Sequence, residues 1–269
     1  MTSALVSSCG ERLDHMRRQS PLVQCITNYV AMNYTANVLL AAGASPAMVH
    51  APEEAGEFAG LASAVTINIG TLSTPWLEGM HAAAKAANES GKPWVLDPVA
   101  HFATTFRRQA VAELLALKPT VIRGNASEIM ALAGDASSGR GVDSGDSVER
   151  AETSALLLAQ RTDAVVAVTG AVDFVTDGQQ SARIAGGSEL MPKVTAMGCA
   201  LTGGVGAFIA IAPTTPWEAT VSALACFKVA GTQAALQSTG PGSFAWRFID
   251  ALAALDGNVL QAQAQVTLA

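Results

Sequence analysis

Residues 22–49 read LVQCITNYVAMNYTANVLLAAGASPAMV. The opening run LVQCI (22–26) is short and apolar enough for a buried strand. AMNYTANVLLAA (31–42) predicts a helix, closed by Gly43 at the position where a left-handed residue commonly ends one. SPAMV (45–49) predicts a second strand. Strand, helix and strand in that order make a crossover unit, which joins parallel strands.

The rhythm repeats along the chain. Pro52 opens a helix with Glu53 and Glu54 in its first turn, where the helix dipole favours acids. AVTINIG (64–70) predicts a strand. STPWLEGMHAAAKAANESG (73–91) predicts a helix with Thr74 as cap, Pro75 at its first position and Gly91 beyond its end. PWVLD (93–97) and TVIRG (120–124) predict strands, NASEIMALAG (125–134) a helix, and AVVAVTG (164–170) another strand. DFVTDGQQSARIA (173–185) predicts a hairpin around Asp177–Gly178, and the chain after Cys199 reads as mostly helical. The pattern predicts one α/β domain over residues 1–269, with a mostly parallel central sheet and helices on both faces. The Gly/Ser/Asp-rich GDASSGRGVDSGDS (134–147) reads as a surface loop or a lid.

Composition narrows the function classes. Half of the 269 residues are apolar but only 5% are aromatic, so the apolar content is mostly Ala, Val and Leu. That suits buried parallel strands under Ala-rich helices and is compatible with an oligomer contact. The net charge is -6 and no Lys/Arg stripe is visible, which argues against a nucleic-acid partner. Arg17–Arg18 and Arg107–Arg108 read as solvated helix faces. Four scattered cysteines form no CxxC pair, and the four histidines are not at metal spacing, so neither zinc nor a disulfide framework is expected. The N-terminal MTSALVSSCGERLDHMRRQS lacks the pattern of a signal peptide. The uncharged stretch between Lys193 and Glu218 is interrupted by glycines and prolines, and its continuous apolar part is shorter than the about 20 residues a bilayer span needs. A cytoplasmic protein is the expectation.

In parallel sheets, ligands sit at the carboxyl ends of the strands. That rule selects Asn28, Met48, Gly70, Asp97, Arg123 and Thr169–Gly170. Asp97, before Pro98, can hold Mg²⁺ or bond nearby backbone amides in a turn. Asn125 and Glu128 have capping-box spacing, while Glu128 can also order water around a metal and Arg123 can face a phosphate. Thr169 can touch a phosphate or simply start a Thr-Gly turn. In VTAMGCALTGG (194–204), a helix start after glycine can aim N–H groups at an anion. Cys199 there is either a thiol whose pKa the helix end lowers, usable as a base, or a small buried packing residue.

QCITNYVAMNYTANVLLAAGASPAM (24–48), LDPVA (96–100), RGNASEI (123–129), VTG (168–170) and the GC of 198–199 together resemble the hydroxyethylthiazole kinase family of the ribokinase-like superfamily. The motifs follow that family's order and span the chain from about residue 12 to 260. The resemblance implies a ribokinase-like fold. It also implies transfer of the ATP γ-phosphate to the primary alcohol of 4-methyl-5-(2-hydroxyethyl)thiazole, a step of thiamine salvage. It further implies a homotrimer with thiazole bound at a subunit interface. Carried over, Met48, Asn28 and the backbone of Ala196 hold thiazole, Arg123 and Thr169 contact ATP, and Asp97 and Glu128 organise Mg²⁺. Gly198 and the amides after it form an anion hole, with Cys199 beside the substrate hydroxyl. The family usually reads TGTGC where this chain has TAMGC (195–199), so Ala196 is strained if its φ is positive. A kinase of another small alcohol, such as hydroxymethylpyrimidine, and a non-catalytic thiazole or nucleotide sensor are the rival readings.

Overall fold

Among the described residues, nine strands form one continuous sheet in the order β2-β1-β3-β4-β5-β6-β7-β8-β9. The computed structural model describes residues 2–134 and 146–269, so the loop-or-lid expectation for 134–147 falls almost wholly outside the described residues. In chain order the elements are α1 (Thr2–Gln19), β1 (Leu22–Ile26), α2 (Met32–Ala42), β2 (Ser45–Ala47), α3 (Pro52–Leu61), β3 (Ala64–Asn68), α4 (Thr74–Glu89) and β4 (Trp94–Asp97). Next come α5 (Thr105–Ala116), β5 (Val121–Asn125), α6 (Ala126–Ala133), α7 (Asp146–Thr162), β6 (Val165–Thr169), β7 (Asp173–Thr176) and β8 (Ser181–Ala185). The chain ends with α8 (Met197–Ile211), α9 (Pro216–Leu236), α10 (Pro241–Ala254), α11 (Gly257–Gln263) and β9 (Gln265–Leu268).

Strands β1 to β6 pair in parallel, and β6 to β9 pair antiparallel. Crossover helices enforce the parallel part, short turns join β6 to β7 and β7 to β8, and four helices separate β8 from its partner β9. Gly43 closes α2 at φ 105°, its N–H bonded to the Leu39 and Leu40 carbonyls. Asp177 accepts from the N–H groups of Gln179 and Gln180, with Gly178 at φ 88°, so the hairpin lies where the sequence placed it. The cap of α4 is Ser73 rather than Thr74, and its side chain makes no capping bond. β9 was not anticipated: it adds to β8 as the last strand of the edge.

Alternation along each strand divides the core. Val23, Cys25, Ala64, Val95, Val121, Val165 and Ala167 pack under α1, α2, α8 and α9. Val65, Ile67, Trp94 and Leu96 meet α3, α4 and α5, while Ile122, Val166 and Val168 meet α6 and α7. Each fully buried aliphatic side chain contributes about 1.5–3 kcal/mol relative to exposure. α8 lies against β1, β3 and β4, and a Cβ on its Gly206 would collide with the Thr66 methyl. Gly206 therefore lets this helix approach the sheet. α9 is the one described helix long and apolar enough to cross a bilayer, yet 78% of its apolar window is buried inside the protein.

Candidate active site

The alternation that packs α8 on the sheet also points a row of polar side chains toward that helix. Asn68 ends β3 and pairs with Asp97, the last residue of β4. Arg123 lies on β5, and Thr169 ends β6 opposite Asn125. All four positions share the face of Ala64, Val95, Val121 and Val165. The first turn of α8 lies beside their carboxyl ends, where it borders a cavity of about 880 Å³.

Asp97 is 1% exposed. Its Oδ2 accepts from Asn68 Nδ2 at 2.7 Å, Thr202 Oγ1 at 2.8 Å and Arg123 Nη1 at 3.3 Å. Its buried Oδ1 has no partner among the described residues. Burial raises the carboxyl's pKa, Arg123 opposes the rise and Glu128 adds to it. Arg123 also donates from Nη2 to Thr169 Oγ1 at 2.6 Å, so one guanidinium ties three strands together. Glu128 completes a capping box: Asn125 Oδ1 accepts the Glu128 N–H, and Glu128 Oε2 accepts the Asn125 N–H at 2.8 Å. Its Oε1 accepts the Ala100 N–H at 2.9 Å, so the same carboxylate also anchors the turn after β4. Both sequence readings of Glu128 meet here, because the capped helix start lines the cavity.

At α8, Ala196 occupies the N-cap with φ 66° and ψ 2°. The positive φ that its sequence context raised as a question is therefore present, in a residue with a Cβ. Ala200 N–H makes the first intrahelical bond, to Ala196 O at 2.8 Å. The N–H groups of Gly198 and Cys199 have no acceptor among the described residues, as an open helix start requires.

Cys199 needs a correction. One of its two sequence readings had the helix start acidify the thiol. Burial, and then the charge of Asp97, instead push its pKa above the usual value, with the Asn28 bond and Arg123 only partly opposing them. The sulfur accepts a hydrogen bond from Asn28 Nδ2 at 3.3 Å. At neutral pH it is a thiol, and a poor base.

Asn28 reaches the site through that bond and through Asn68, to whose Oδ1 it donates at 2.8 Å. A Cβ on Gly70 would stand 2.6 Å from Asn28 Nδ2, so that glycine admits the amide. Met48 does not line the cavity; it packs half-buried against the core under α1, α2, α8 and α9. The cavity thus gathers Asp97, Glu128, Arg123, Thr169, Ala196, Gly198 and Cys199, adds Asn28 through Cys199, and leaves Met48 aside.

Three further polar groups went unread, and Arg107 was misread. Asn68 and Thr202 orient Asp97. Lys228 pairs with Asp173 at 3.1 Å on the cavity wall. Arg107 is no solvated surface residue: its guanidinium donates to the carbonyls of Ile69, Val99 and Gly70, clamping the ends of β3 and β4. Arg108 keeps the exposed position expected of it.

A guanidinium, unpaired helix-start amides and two carboxylates, one of them with a free oxygen, around one cavity suit phosphoryl transfer. Residues 13–258 match the model of the hydroxyethylthiazole kinase family. The chain belongs to that family. It is 73% identical over 257 residues to the hydroxyethylthiazole kinase of Rhizobium etli strain CFN 42, covering 96% of this chain and 100% of the relative. The hydroxyethylthiazole kinase of Cereibacter sphaeroides strain KD131 is 62% identical over 264 residues, covering 98% and 100%. The solved hydroxyethylthiazole kinase of Pyrococcus horikoshii OT3 superposes with a TM-score of 0.90 at 42% identity, over 97% of this chain and 99% of that one. A pyridoxal kinase from Staphylococcus aureus in complex with ADP superposes at 0.60 with 17% identity, over 79% and 88%, a likeness of fold alone.

Proposed function

We propose that this protein transfers the γ-phosphoryl group of ATP to the primary alcohol of 4-methyl-5-(2-hydroxyethyl)thiazole, in thiamine salvage. The observation that carries the reading is the meeting of Arg123 with the open first turn of α8 on one cavity. In this reading Arg123 and the N–H groups of Gly198 and Cys199 receive the transferring phosphoryl oxygens, and Thr169 fixes the guanidinium. Such preorganised donors act where charge is shared between attacking and leaving oxygens.

Among the described residues no three His, Cys, Asp or Glu side chains gather as a metal cage. Mg²⁺ fits that arrangement, because it commonly takes one or two carboxylates and completes its shell with phosphates and water. The unpartnered Asp97 Oδ1 is the acceptor offered to it, with Glu128 ordering its water. Bound there, the ion neutralises charge on the phosphate oxygens. Cys199, protonated and held by Asn28, lies beside the substrate hydroxyl as a positioning contact. A loose transition state asks for little prior deprotonation of the alcohol.

Met48 lies outside the cavity of a single chain. In our reading it serves thiazole at the interface of a homotrimer, where the exposed Tyr29 and Val30 beside Asn28 provide apolar surface for a neighbour. The protein works in the cytoplasm. Incubation with ATP, Mg²⁺ and hydroxyethylthiazole, followed by mass spectrometry, tests the activity. Thiazole phosphate and ADP in equal amounts are expected. Turnover of hydroxymethylpyrimidine alone would point to the other kinase, and thiazole binding without ADP to a sensor.

A further inference from the structure

Lys228 carries a charge that the chemistry above leaves unused. It is 5% exposed on α9, a helix whose one other charged residue is Glu218 in the first turn. An ammonium has three N–H donors. Three acceptors meet this one: the Gly170 carbonyl at 2.8 Å, the Ala171 carbonyl at 3.1 Å and Asp173 Oδ1 at 3.1 Å. Asp173, 4% exposed, also accepts the Gly170 N–H at 2.9 Å. The acceptors belong to the turn between β6 and β7, directly after Thr169. One helical turn along α9, Thr232 Oγ1 accepts the Gly187 N–H at 2.9 Å. A Cβ on Gly187 would stand 3.2 Å from Lys228 Cδ, so that second turn rests on the lysine stem. Residues 170, 171, 173, 186 and 187 all line the cavity. One stripe of α9 therefore fastens two turns of the cavity wall.

We infer that Lys228 is a positioning residue for the nucleotide. Its donors are spent on the 170–173 turn, so it fixes the wall beside which ATP lies. The inference rests on the ATP-binding reading above. A buried ammonium persists because each donor is paired; removing one partner strands the other, whereas removing both costs less.

The test uses full-length Lys228→Met, Asp173→Asn, the double variant and Thr232→Val. Steady-state kinetics, melting and calorimetric binding of a non-hydrolysable ATP analogue are measured for each. Lys228→Met should raise KM for ATP and weaken analogue binding about tenfold, the size of losing a few hydrogen bonds. KM for thiazole and kcat at saturating ATP should stay within about threefold of wild type. The double variant should regain much of the melting temperature lost in the single variants but keep the raised KM for ATP, because the turn still lacks its donors. Thr232→Val, which keeps the ion pair, should shift KM for ATP in the same direction. Unchanged analogue affinity in Lys228→Met, or equal shifts for both substrates tracking the melting temperature, would overturn the inference. If Lys228→Met fails to fold, the double variant and Thr232→Val decide by the same criteria. Analogue binding by a wild type that forms no thiazole phosphate would sink the substrate assignment while leaving this test intact. No analogue binding by wild type would sink both.

Discussion

The guanidinium of Arg123 lies so close to Gly198 that a Cβ built there would stand 2.8 Å from both Nη1 and Nη2. The same guanidinium bonds Asp97 on β4 and Thr169 on β6. Gly198→Ala should therefore push it off both partners. The expected loss in kcat/KM for ATP is about ten- to a hundredfold, the scale of a misplaced charge-assisted bond. Melting should move by only a few degrees, because about 1 kcal/mol shifts a chain of this size by roughly 2–4 °C. Kinetics alongside a thermal scan check this; near-wild-type turnover would show that Arg123 is free to move without consequence.

Ala196 sits at φ 66°. An alanine there costs about 1 kcal/mol or more, whereas a glycine loses about 0.4–1 kcal/mol through the entropy of the unfolded chain. Ala196→Gly should leave stability level or slightly higher. Chemical denaturation reads the difference. A drop of about 1 kcal/mol, the usual result of placing glycine in a helix, would contradict the strain.

With its pKa raised above 9.0, the Cys199 thiol is less than about one part in a hundred thiolate at pH 7. Alkylation of the native protein by iodoacetamide should speed up as pH rises, with a midpoint above 9. It should modify Cys199 alone, because Cys9, Cys25 and Cys226 are buried. Cys199→Ala should lower kcat by less than about tenfold and leave thiazole binding largely intact, since a neutral thiol supplies position rather than basicity. Peptide mapping after alkylation at several pH values checks the first point. A midpoint below 8 would restore the thiolate base.

Asp97→Asn tests the cation site. The amide oxygen will stay with the donors of Asn68, Thr202 and Arg123. Its NH₂ then occupies the place of Oδ1, a donor where a cation needs an acceptor. The Mg²⁺ concentration for half-maximal rate should rise at least about tenfold. An unchanged Mg²⁺ titration would remove Asp97 from the cation site.

Much of this was legible because it is local. Strand runs between Ala-rich helices announced the parallel sheet, and the Asn125–Glu128 spacing announced a capping box that the structure contains. Asn68 was missed because its meaning lies in register: nothing local says that the end of β3 pairs with Asp97. β9 was missed because four residues on an edge strand, three of them exposed, carry no clear period. The thiol's acidity was misjudged because a helix start is visible in sequence, while burial beside a carboxylate is not. Arg107 and Arg108 look alike in the chain, and only packing sends one onto backbone carbonyls. Lys228 did leave a signal, a lone cation deep in an apolar helix, which burial rules mark as paired.

The central claim is that the start of α8 receives the terminal phosphate of ATP. A crystal structure with a non-hydrolysable ATP analogue and hydroxyethylthiazole tests it most directly. The account predicts γ-phosphate oxygens within hydrogen-bonding distance of the Gly198 and Cys199 amides and of Arg123, with the thiazole hydroxyl facing that phosphorus. A triphosphate bound elsewhere, with that helical turn untouched by ligand, would contradict it.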